Sequence, residues 1–142
     1  MRVLGIDTAT PTASVALVED RTVVTQQVSE PLKPREKTAG QPRKGNHAEI
    51  ILPLIESVLR EARLDLRDIS RFGISIGPGS FTGLRIGLST IKGLVYGSST
   101  PVVGISTLLA NAARVTDHNG LICSILNARK NEVYAAVFRK DG

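Results

Sequence analysis

Tryptophan is absent from this chain, and aromatic residues fill only 4% of its 142 positions, so its core must be built from aliphatic side chains. Cys123 is the single cysteine, which excludes an internal disulfide and a cysteine-based metal cluster. Its apolar surroundings, LICSIL, predict a small buried core residue. Two histidines, His47 and His118, leave few candidates for a general base or metal ligand. No apolar run reaches the roughly eighteen residues a membrane helix needs, and the start MRVLGIDTAT sets Asp7 where a signal peptide would carry its apolar stretch. A cytoplasmic protein with no membrane contact is the expectation.

What is present is basic charge, and it is concentrated. The formal net charge is +5, and Lys33, Arg35, Lys37, Arg43 and Lys44 face only Glu36 between Pro31 and Asn46. That stretch also carries Pro31, Pro34, Gly40, Pro42 and Gly45, a composition that builds no packed element and predicts a solvated loop. A basic loop of this kind either tracks nucleic-acid phosphates or is simply hydrated.

Alternation of apolar and polar residues predicts strands at Arg2–Asp7, Ala13–Glu19 and Thr22–Ser29, joined closely enough to form an antiparallel meander. Asn46 and Glu49 have capping-box spacing, and Ile51, Ile55, Val58, Leu59 and Ala62 then recur with helical period over His47–Arg63. Pro53 inside that pattern predicts a kink or a displaced start. A strand over Arg71–Ile76, a helix over Thr82–Tyr96, a strand over Pro101–Ile105, a helix over Thr107–Val115 and strands at Leu121–Leu126 and Glu132–Phe138 follow. A meander succeeded by alternating helices and strands argues an α/β class, a mixed sheet with helices against it.

The segment GISIGPGSFTGLRIG invites a phosphate-binding reading. It lacks the lysine of a Walker loop, and its third glycine comes one residue late for a dinucleotide fingerprint. Ser80 is flanked by Pro78 and Thr82 rather than by the glycines of a nucleophile elbow. Two readings stay open: weak anion binding by Ser80, Thr82 and backbone amides at a helix start, or glycines that only permit a tight strand-to-helix corner. Within the helix, Gly83, Gly87, Thr90 and Gly97 make a strip of small residues, which suggests close approach of another backbone from the fold or from a partner. In GIDTAT, Asp7 and Thr8 are candidates for a metal-linked acid and a phosphate contact, or Asp7 accepts hydrogen bonds from its own turn. No second histidine follows His47 at the three- to five-residue spacing of a helical metal pair.

MRVLGIDTATPTASVAL, NHAEIILPLIESVL, GPGSFTGLRIGLSTIKGL, PVVGISTL and NARKNEVYAAVF together resemble the TsaB (YeaZ) family, over essentially the whole chain. The resemblance implies an actin-like fold, shared with sugar kinases and heat-shock ATPases and ribonuclease H-like in topology. Residues 1–106 would form the first lobe, with 33–46 an inserted basic loop, and 107–142 the start of an incomplete second lobe. It further implies a non-catalytic subunit in the synthesis of threonylcarbamoyladenosine next to the tRNA anticodon. In that family the catalyst is the homologous subunit TsaD, which carries a histidine pair and binds metal, and the ATPase TsaE completes the complex. The chain would form a homodimer when alone. No tightly bound cofactor, metal or catalytic residue of its own is implied, although ATP or ADP could sit at a subunit interface. His47, Ile51, Leu54, Ile55, Gly83, Arg85, Gly87 and Thr90 would lie at or near the partner surface, and Asp7, Thr8, Ser80 and Thr82 are the anion or nucleotide candidates. Asn127 departs from an aspartate common in the family. The alternative is an enzyme of the same fold, an ATP-dependent phosphotransferase or a metal-dependent glycopeptidase-like protein.

Overall fold

The computed structural model describes residues 1–31 and 47–140. The expected basic loop and the Asn46 half of the capping box lie outside the described residues.

Strands β1 (Arg2–Asp7), β2 (Ser14–Glu19) and β3 (Thr22–Val28) form the expected meander, and α1 (His47–Ala62) follows. Strand β4 (Arg71–Gly77), α2 (Phe81–Leu94), β5 (Val102–Ser106), α3 (Thr107–Ala113), β6 (Gly120–Arg129) and β7 (Glu132–Lys140) complete the order. Five strands make one sheet in the order β3-β2-β1-β4-β5. The meander pairs antiparallel, whereas β4 runs parallel to both β1 and β5. This is the mixed α/β sheet the pattern predicts. Among the described residues, strands β6 and β7 pair only with each other, in a separate antiparallel hairpin.

The period-2 pattern decides which sheet face is dry. Leu4 and Ile6 of β1 stand opposite Leu17 and Val15 of β2 and beside Phe72 and Ile74 of β4, and all six are buried. Helix α1 covers this face with Ile51, Ile55, Val58 and Leu59, and α2 adds Ile91. Burying a side chain of this size is worth about 1.5–3 kcal/mol, so this aliphatic layer is the main source of the lobe's stability.

Two sequence expectations need correction. Helix α1 begins at His47 and runs on through Pro53, so the proline does not displace its start; the ring is exposed and one i to i−4 hydrogen bond is lost there. Cys123 is exposed, not buried. It alternates with buried Ser124 on β6 and so points away from the face that α3 covers. A short 3-10 turn at Leu66–Asp68 was not legible from periodicity. It is a local device, in which the Asp65 amide donates to the Asp68 carboxylate at 2.8 Å.

Candidate functional site: the β1–β2 hairpin and the outer face of α2

The ends of β1 and β4 lie side by side because the two strands are parallel, and this brings the GIDTAT turn against the GPGSFTG corner. Ser80 caps α2, its hydroxyl accepting a hydrogen bond from the Gly83 amide at 3.2 Å. The Ser80 amide donates to the carbonyl of Ala9 at 2.6 Å. Corner and hairpin are thereby stitched together through the main chain.

Glycine makes that approach possible. A Cβ on Gly79 would collide with the Ala9 carbonyl, and one on Gly83 with the Thr8 carbonyl. A Cβ on Gly87 would meet the Thr8 hydroxyl and the Ile74 side chain. At Gly83 and Gly87 the strip of small residues is therefore filled from inside the chain, by the β1–β2 turn. Gly97 is the exception, with open space around it and a φ of +75° at the turn after α2, where only glycine is unstrained.

His47 completes the junction from α1. It is buried, its ring edge faces Gly83, and its Nε2–H donates to the Thr10 carbonyl at 3.0 Å. That bond requires a proton on Nε2 and leaves Nδ1 buried without a hydrogen-bond partner among the described residues, as is the Thr8 hydroxyl. One turn further along α1, where a second histidine would share the face, stands buried Ile51.

These positions decide how the candidate residues can act. Ile51, Ile55, His47, Gly83 and Gly87 are buried within the lobe, Leu54 and Thr90 are half-buried, and Arg85 is exposed. The buried five therefore shape any surface made by α1 and α2 from beneath, without reaching out of it. The outer line of α2 consists of Phe81, Arg85, Leu88 and Lys92, with Tyr96 just beyond the helix, all exposed. The Arg85 guanidinium lies 4.4 Å from the centre of the Phe81 ring. Of this line, only Arg85 was placed at a surface by the sequence reading; Phe81, Leu88, Lys92 and Tyr96 were not. Its spacing of 4, 3, 4 and 4 residues was the available signal.

A nucleotide, which this fold implies, finds a poor fit at the hairpin. The Ala9 amide, in position to approach a phosphate, donates instead to the Asp7 carboxylate at 2.8 Å. Thr8 and Ala9 are both buried beneath α2. At the start of α2 the Ser80 and Gly83 amides are already taken, leaving Thr82 exposed beside them. One carboxylate oxygen of Asp7 thus accepts from its own turn, the arrangement the second of its two readings expects. No cluster of three histidine, cysteine or acidic side chains that could hold a metal occurs among the described residues. None of their helices is long and apolar enough to cross a membrane.

Residues 42–142 match the model of the family TsaD, tRNA N6-adenosine threonylcarbamoyltransferase. The chain is 38% identical over 143 aligned residues to the tRNA threonylcarbamoyladenosine biosynthesis protein TsaB of Escherichia coli, covering 99% of this chain and 56% of that protein. It thus spans little more than half the length of this relative. YeaZ from Pseudomonas aeruginosa superposes with a TM-score of 0.79 at 27% identity, over 99% of this chain and 60% of that one. RuvC from T. thermophilus, at 15% identity and a TM-score of 0.50 over 82% of this chain and 71% of its own, shares the fold alone. The mixed sheet with its hairpin and its two helices on one face is the actin-like, ribonuclease H-like lobe, and the chain belongs to the TsaD family, on its TsaB (YeaZ) side.

Proposed function

We propose that this chain is a non-catalytic subunit of the machinery that makes threonylcarbamoyladenosine in tRNA, and that it activates a TsaD-type transferase by docking lobe to lobe through α1 and α2. The observation that carries the reading is the state of His47. Its Nε2–H is held by the Thr10 carbonyl, and apolar Ile51 occupies the next position on the same helix face. A metal-dependent transferase or glycopeptidase on this scaffold needs that position free and paired with a second ligand. The closed β1–β2 turn argues in the same direction against a phosphotransferase. TsaE would join the complex, tRNA would be the substrate of the assembly, and a nucleotide would bind only where subunits meet. Without its partner the chain would pair with itself.

Reconstitution tests this. The chain, a TsaD transferase, TsaE, ATP, threonylcarbamoyl donor and unmodified tRNA are combined, and modified adenosine is measured with each component omitted in turn. The expected result is modification that needs both this chain and the transferase. Threonylcarbamoyl transfer by the chain without TsaD, or submillimolar binding of ATP or zinc to it in calorimetry, would overturn the proposal.

A further inference from the structure

The turn that joins β6 to β7 is built against backbone preference. Arg129, Lys130 and Asn131 stand in succession at φ of 71°, 51° and 63°, a region that glycine enters freely and that arginine and lysine enter at a cost. The strand register shifts between Asn127 and Arg129, and the Asn127 side-chain oxygen accepts the Arg129 amide at 2.7 Å, which holds the curl in place. A tight hairpin turn of this hand is ordinarily made with glycine, so the backbone gives no reason for two long cations here. Strain of this kind gathers where a side chain has another use.

The surroundings say what that use is. The curled tip borders an open hollow of about 500 Å³. Ile125 and Val133, 57% and 61% exposed, give it an aliphatic floor. Arg129 and Lys130 line it with two cations, Asn127 and Asn131 with amides, and Glu132 with one carboxylate. Glu132 stands opposite Arg129 in the ladder, yet none of these three charges is in an ion pair among the described residues. Two free cations outweigh one carboxylate. Cations beside amide donors suit the anionic oxygens of a phosphodiester, and the aliphatic floor suits the carbons of its sugar. No aromatic side chain lines the hollow, so it offers neither a stacking platform for a base nor the aromatic anchor common at protein interfaces.

We infer that the β6–β7 tip is an RNA backbone contact, in which Arg129 and Lys130 hold phosphates without reading sequence. This deepens the proposed function, on which the choice of tRNA as the RNA rests.

The test exploits the strain. R129G/K130G removes both charges and relieves the backbone, so it should melt no lower than the wild type. Its affinity for unmodified tRNA, measured on the chain alone by fluorescence anisotropy, should nevertheless fall about tenfold at about 0.1 M salt, and the slope of log affinity against log salt should shrink by about two. R129Q/K130Q, which keeps long side chains in the turn, should lose affinity and slope to the same extent. Arg21→Gly removes an exposed cation from the left-handed turn between β2 and β3 and should change neither. Unchanged affinity and slope in both double variants, an equal loss in Arg21→Gly, or wild-type binding weaker than the roughly 0.1 mM limit of non-specific association would overturn the contact. In the reconstituted assembly R129G/K130G should raise the KM for tRNA more than it lowers kcat. If that assembly shows no need of this chain, the proposed function fails, and the measurements on the chain alone still judge the tip.

Discussion

The carbonyl oxygen of Thr8 lies where a side chain at Gly83 would have to begin. Hairpin and helix are joined backbone to backbone at this point, so no rotamer change can make room. Gly83→Ala should therefore destabilise the fold by at least the 1–3 kcal/mol typical of overpacking, and Gly87→Ala, which meets a movable hydroxyl, should cost less. Chemical denaturation of both variants checks the order. Equal, negligible losses would mean that the junction is looser than its geometry. Loss of partner binding in a bulky Gly87 variant would not by itself place Gly87 in an interface, since the lobe beneath would be disturbed as well.

The cap of α2 gives a milder test of the same junction. Ser80→Ala removes the hydroxyl that accepts from the Gly83 amide but keeps the main-chain bond from residue 80 to Ala9. Loss of such a cap costs about 1 kcal/mol. A loss several times larger would show that the hydroxyl has a second role, such as holding an anion.

Because the Ala9 amide is engaged by Asp7, calorimetric titration of the lone chain with ATP and magnesium should give no saturable heat. Asp7→Ala should then lower stability, through an unmade turn bond, without changing any nucleotide response. Saturable binding abolished by Asp7→Ala would restore the phosphate reading.

Much of this molecule is legible in its sequence, and the misreadings share a cause. The 3.6-residue period names Ile51, Ile55, Val58 and Leu59 as the buried face of a helix, and alternation marks Arg2–Asp7 and Ala13–Glu19 as strands, because burial on one face is a repeating constraint. What one-dimensional pattern cannot give is which neighbour fills a gap. The glycines of α2 announce close packing, yet only the parallel pairing of β1 with β4 shows that the neighbour is the chain's own Thr8. Leu88 follows the period of a buried face but lies on the outer line, since the arc covered by the sheet is narrower than the apolar arc of the helix. Cys123 sits among apolar residues, but a two-stranded hairpin with one covered face leaves alternate apolar positions in water.

That exposure has a direct consequence. Cys123 should react with a thiol reagent such as Ellman's in the native protein, at a rate unchanged by mild denaturant. Cys123→Ser should alter stability by less than the roughly 0.5 kcal/mol typical of surface changes. Protection of the thiol until global unfolding would mean that another surface covers this face of the hairpin in solution.

At the opposite edge of the lobe, the Glu61 carboxylate of α1 accepts hydrogen bonds from the Thr25 hydroxyl at 2.6 Å and the Gln27 amide at 3.1 Å on β3. These two bonds, Thr25 first, hold its carboxyl below the usual value of 4.5. A carboxylate whose pKa is lowered on folding stabilises the fold fully above its unfolded pKa, and the contribution fades as pH falls through the folded pKa. The stability difference between wild type and Glu61→Gln should therefore be constant from neutrality to about pH 5 and shrink below the usual glutamate value. Thermal melts of both proteins across that range decide it. A difference that persists undiminished in acid would assign the effect of the substitution to altered packing of α1 on β3, with no share from the charge.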